Sequence, residues 1–330
     1  MKNIIYLIIF TVVSFVGCSG TTKEKNGLGE KEDIVIVRFD REVYEYLEHP
    51  ESIKEAALKE KYPLLLPAFG RIAMDNSDPV TFYPSLREYF SHPILMQIYK
   101  DAESHYTDVS TYEKELSEAN VLVSQYLSGR KLPELAMHVS GFRENVIVLN
   151  NLISISIDKY LGSEYSMYKE FFQVYEREQM KPEYITRDYL KAWLMSDVVK
   201  MGTEEQNLLS TIIAEGKTLY ALSMLLPQKE DGYYIGYSED QLIWCKQNEK
   251  ILWQTVVKQN YLFSADNMVI TRFVNDAAHT SIVSPESPGR VGCWLGWQIV
   301  NQYAKKKNAS LQEILNTDAQ TILKEAKYNP

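Results

Sequence analysis

Histidine is scarce in this chain of 330 residues: there are five, at positions 49, 92, 105, 138 and 279. No pair has the one-turn helical spacing that presents two imidazoles to a metal ion. Cysteine is scarcer still, with three. Cys245 and Cys293 belong to no C-x-x-C or zinc-ribbon pattern. Basic excess is missing too. Lys and Arg number 35 against 44 Asp and Glu, a net charge of -9, so no basic stripe is offered to nucleic acid. No G-x-S-x-G motif marks a nucleophile elbow. Internal repeats are absent.

What is present is enough apolar material for a sizeable core: 45% of residues are hydrophobic and 12% aromatic. The 23 tyrosines suit half-buried positions, where a ring is dry and its hydroxyl wet. At the N-terminus, "MKNIIYLIIFTVVSFVGCSG" has Lys2, an apolar stretch from Ile4 to Val16, then Gly17-Cys18. That stretch is short for a membrane span and fits a secretory h-region. With its terminal Cys it resembles a bacterial lipobox, although Phe15 stands where Leu is usual. The resemblance implies a signal peptide over 1–17, cleavage before Cys18, and membrane attachment through lipid on its sulfur. Residues 18–33, ending "KEKNGLGEKED", read as a flexible tether. Residues 34–330 show no interdomain linker and are expected to form a single domain.

Within that domain, "DIVIVRFD" from Asp33 reads as an opening strand. Residues 41–130 read as helices punctuated by Pro63, Pro67, Pro79, Pro84 and Pro93. His92 reads as a turn residue before Pro93. "LAMHVSGF", "NVIVLNN" and "ISISIDKYLG" read as strands of a small antiparallel sheet, with Asp158 closing a turn. Helices return after Gly162. "SEDQ" at 238–241 and "SLQE" at 310–313 are capping boxes. In "SPGRVGCWLGWQIVNQY", Ser287 is expected at the N-cap and Pro288 at N1. Gly292 and Gly296, four apart, predict close approach by another backbone. Trp244, Trp253, Trp294 and Trp297 read as core. Cys245 and Cys293 are either a disulfide or two separately buried thiols. The fold class expected is mostly α with a small antiparallel β-sheet.

The run "LLSTIIAEGKTLYALSMLL", residues 208–226, is long enough to span a bilayer. Glu215 and Lys217 at its centre make that costly, at about 2.5–3.5 kcal/mol each. A buried helix of a globular domain is the better reading, and its carboxylate then needs a partner. "AEGKTLY" resembles the second active-site helix of zincin metallopeptidases, which often carries a Glu-Gly ligand. Their first helix bears H-E-x-x-H, but the corresponding "LKAWLMSDVV", Leu190 to Val199, has no histidine. One glutamate cannot assemble a zinc site, so the segment resembles a peptidase scaffold without its metal ligands. No metal, cofactor or catalytic residue is expected.

Taken together, "ISIDKYLG", "AEGKTLYALSMLLP", "IGYSEDQLIWCKQNEKILW", "SPGRVGCWLGWQIVNQY" and "ILKEAKYNP" resemble the GldB-type gliding-motility lipoproteins of Bacteroidota. The resemblance covers most of the chain. It implies an outer-membrane lipoprotein needed for the gliding machinery and linked with type IX secretion, and supplies no molecular activity. The missing H-E-x-x-H and G-x-S-x-G motifs favour a non-enzymatic protein that acts through other envelope proteins. The absence of an acidic run after Cys18 favours the periplasmic face. The alternative is a hydrolase, or a module that holds a peptide or cell-wall fragment in the old cleft. Glu215, Arg290, Trp193 and Trp294 are the candidate cleft residues. Arg290 is expected to pair with Glu215, because a guanidinium holds a carboxylate through two parallel bonds.

Overall fold

The computed structural model describes residues 33–200 and 206–330. Cys18, the proposed signal peptide and nearly all of the tether lie outside them. Buried side chains from Ile36 to Tyr328 form one continuous apolar cluster.

The first helices follow the apolar spacing. In α1 (Phe39–Glu48), Phe39, Val43 and Tyr46 face inward at intervals of four and three. The opening strand shrinks to one residue. Val37 makes a single parallel bridge to Ala136, and the helix begins two residues later. Acidic Asp40 and Glu42 in its first turn favour that early start. Helices α2 (Ser52–Lys61), α3 (Leu65–Met74), α4 (Phe82–Phe90), α5 (Pro93–His105) and α6 (Ser110–Tyr126) follow. Their prolines do not break them. Pro67, Pro84 and Pro93 sit in first turns, where the missing N–H has no intrahelical partner to lose. His92 is the N-cap of α5.

The sheet holds β1 (Glu134–His138), β2 (Val146–Leu149) and β3 (Leu152–Ser156) in the order β1-β3-β2. It is mixed rather than antiparallel. β2 and β3 form the hairpin that Asn150-Asn151 announces, whereas β1 runs parallel to β3. The reason lies in the loop 139–145, which crosses the end of β3 and delivers β2 to the far side. Asp158, fully buried, holds that loop. Its carboxylate accepts from the Phe142 N–H at 2.7 Å, the Ser140 N–H at 3.2 Å and the Ser156 hydroxyl at 2.5 Å.

Short helices α7 (Tyr168–Phe171) and α8 (Val174–Arg177) lead to α9 (Ile185–Trp193), which ends in one π-helical turn, Leu194–Val198. Then come α10 (Leu208–Leu225), α11 (Asp231–Ile235), α12 (Glu239–Lys258), α13 (Asn267–Val274), α14 (Val291–Lys307), α15 (Leu311–Asn316) and α16 (Ala319–Ala326). Both capping boxes form, at Ser238/Gln241 and Ser310/Glu313. The expected start of α14 does not. Its N-cap is Arg290, in the left-handed region at φ 60°, and Ser287 instead bonds Thr280 inside a preceding turn. That turn uses the Ser287 hydroxyl for both the Thr280 N–H and its carbonyl, leaving none to cap a helix.

Helices α10 and α14 cross at the centre of the C-terminal half. A Cβ on Gly216 would overlap the backbone of Gly296, and one on Gly296 would overlap the Ile212 carbonyl. The glycine beside Glu215 is therefore there for contact: two helix backbones meet with no side chain between them. Lys217 is also inside. Its ammonium donates to the carbonyls of Leu315 at 3.1 Å and Thr317 at 2.6 Å, closing the C-terminal end of α15. Among the described residues no helix is long and apolar enough to cross a membrane.

Candidate functional site

Helix α9 has two faces. Ile185, Tyr189, Leu190 and Trp193 enter the core, while Arg187, Asp188, Lys191 and Ala192 line a cleft of about 460 Å³. Asn145 and Val146, at the start of β2, form the opposite side, and Phe172, Glu176 and Met180 supply a wall. A second cleft of about 620 Å³ adjoins it and shares Gln179, Asp276 and Arg290.

Three ion pairs order the charged groups here. Lys191 Nζ lies 3.3 Å from Glu215 Oε2. The Glu215 charge holds the Lys191 pKa above the ordinary lysine value, against the opposing effect of burial. Arg187 Nε donates to Asp188 Oδ1 at 2.7 Å, and Tyr160 donates to Asp188 Oδ2 at 2.9 Å. Burial, the largest single influence, would lower the Arg187 pKa, but the charge and hydrogen bond of Asp188 together with Tyr184 and Tyr160 outweigh it and the value rises. The Arg187 guanidinium also stacks 3.7 Å over the Tyr184 ring. Arg290 Nε meets Asp276 Oδ1 at 2.9 Å, and its Nη2 donates to the Ile235 carbonyl at 2.7 Å.

Glu215 and Arg290 therefore do not pair as expected. Each has a nearer partner: Lys191, near the end of α9, for Glu215, and Asp276 in the loop before α14 for Arg290. Arg290 reaches the cleft and Glu215 stands behind it, tied to the lysine that lines it. Trp193 and Trp294 are both buried, at 2% and 1% exposed, and act as core. Trp193 also underlies the β2–β3 hairpin, where it lines a smaller cleft of about 330 Å³ with Val148 and Leu149.

Cys245 and Cys293 are free and buried, so the thiol alternative holds rather than the disulfide. Burial pushes the Cys245 thiol up to about 12 and raises that of Cys293 as well, which suppresses their thiolates. His138 is buried on β1, its Nδ1 2.8 Å from the Ser154 hydroxyl. Burial lowers its pKa to about 3, so it stays neutral. Among the described residues no cluster of three or more His, Cys, Asp or Glu side chains is placed to hold a metal ion.

Sequence reasoning missed Lys191 and the Arg187–Asp188 pair. The signal was available. Arg187, Asp188 and Lys191 make a polar stripe on an otherwise apolar helix, at the i, i+4 spacing that shares one face.

Fold and site together define a helix-rich α+β protein with a charge-paired cleft beside the β2 edge of a small mixed sheet. By sequence, the chain belongs to the family of the gliding motility protein GldB, whose family model matches residues 21–330. No curated protein and no solved structure matches the chain, and the zincin likeness finds no counterpart among these comparisons.

Proposed function

We propose that the protein is a lipid-anchored envelope lipoprotein that works through contacts with other proteins, as a component or assembly factor of the gliding-motility and type IX secretion machinery. Cys18 carries the lipid, 1–17 is the signal peptide, 18–33 the tether, and 34–330 the single working domain, held at the periplasmic face of the outer membrane. Membership in the gliding motility family supports the setting. The non-catalytic part of the reading rests on one observation: Glu215, the carboxylate that resembles a zincin ligand, is closed by the Lys191 ammonium. A carboxylate in such a pair is neutralised without a metal, and Arg187–Asp188 and Arg290–Asp276 in the cleft are likewise paired. The test is crosslinking of the full-length chain in native envelopes with identification of what is captured. A reproducible motility or secretion component supports the reading. Capture of nothing beyond the chain itself overturns it.

A further inference from the structure

The two edges of the sheet are treated differently. At the β1 edge, Val37 donates to the Leu135 carbonyl and accepts from the Met137 N–H, both at 2.9 Å. That edge is covered by the chain's own N-terminal segment. At the β2 edge the phase of the ladder is set by the Ser156 N–H, which donates to the Asn145 carbonyl at 2.8 Å. Asn145, Ile147 and Leu149 therefore turn their backbone groups toward β3, and Val146 and Val148 turn theirs outward. Among the described residues no backbone group takes these outward bonds.

β2 is short, but it carries few of the other devices that blunt an edge. It reads Val-Ile-Val-Leu, with no lysine, proline or bulge, and Val148 is 47% exposed. It stands over a shelf. The cleft against Val146 is floored by Lys191, Ala192 and Met195, and the smaller cleft against Val148 by Trp193 and Ser196. The shelf is thus α9 and the π-helical turn that extends it, running the length of the strand.

We infer that β2 is a docking edge that takes an extended segment of a partner protein as a fourth strand, lying on the α9 shelf. Only an extended backbone offers donors and acceptors at the strand repeat that Val146 and Val148 present. Phe172, Glu176 and Met180 line the same cleft as Val146, and a single extended segment needs less room beside them than the sheet edge of a second copy with the helices that flank it. This inference rests on the partner-binding reading above and specifies its surface.

The decisive substitution is Val148→Pro. It removes an outward N–H and leaves the β2–β3 ladder intact, the one kind of strand position where proline is tolerated. Val148→Thr is the control, keeping branching and N–H. A library of displayed random nonapeptides is selected on the full-length chain, and each selected peptide is then measured against both variants. Peptides should bind Val148→Thr as they bind the native chain, and Val148→Pro about tenfold more weakly or worse. Near-ultraviolet circular dichroism of Val148→Pro must match the native chain. If it does not, Val146→Pro, which removes the other outward N–H, replaces it. The inference is overturned if no peptide is selected, if selected peptides bind the proline variant equally, or if the substitution instead abolishes self-association. Envelope crosslinking that captures a component equally with Val148→Pro would leave the partner-binding reading standing and sink the edge alone.

Discussion

Lys191 and Glu215 form the ion pair on which the reading of the cleft depends, with side chains 31% and 13% exposed. A pair this accessible is worth less than a fully buried one. Lys191→Ala and Glu215→Ala should each destabilise, and a double-mutant cycle should give a coupling of about 0.5–1.5 kcal/mol. The same cycle on Glu215 and Arg290 should return additive costs, checked by chemical denaturation. Lys217 makes a second test at this scale. Burial lowers its pKa from the ordinary lysine value to about 8 in the folded chain. Between that value and the unfolded one, the unfolded chain binds more protons, so stability rises with pH. From pH 7.5 to 9.5 the native chain should gain on the order of 2 kcal/mol over Lys217→Met. Equal slopes for the two proteins would mean that Lys217 is not desolvated. Above that window the tyrosines oppose the trend, because burial raises many of their pKa values and folding then disfavours their ionisation.

At the scale of elements, the α10–α14 crossing is the feature most exposed to a single methyl group. Gly296→Ala should cost about 3 kcal/mol or more, because the obstacle is the Ile212 carbonyl and backbone cannot step aside. The gain in helix propensity, about 1 kcal/mol, does not offset this. Gly292→Ala should cost less, since its Cβ would meet the Phe273 carbonyl at 2.8 Å and an Ile212 methyl at 3.1 Å. Thermal denaturation of the two variants should rank them in that order. The sheet shows a different dependence. Its hairpin is local, but its mixed order comes from the loop that Asp158 anchors, sixteen to eighteen residues away in sequence.

For the whole molecule the prediction concerns attachment. Cys18→Ser should release the protein from membranes or stall its processing, read by fractionation and gel mobility. A variant that fractionates and migrates as the native chain does would refute the lipid assignment. If the anchor is correct, the tether lets the domain search for partners near the membrane. A docking edge of four residues is then favoured by a raised effective concentration, which compensates for a small contact area.

The amino-acid sequence by itself determined the helical character of the chain, the capping boxes at Ser238 and Ser310, the three strands of a small sheet, the close approach at Gly296 and the family. All of these rest on local spacing or on contiguous motifs. It did not determine which strand lies between which, because the loop 139–145 could pass on either side of β3 until Asp158 held it. Nor did it determine the partner of Glu215. A guanidinium and an ammonium are both chemically suitable, and distance chose the lysine on α9 over Arg290, which Asp276 already holds. The start of α14 moved three residues for a similar reason: Ser287 had a tertiary turn to close, and one hydroxyl cannot serve both. Local preference thus sets the elements, and tertiary structure assigns each polar group the single partner within its reach.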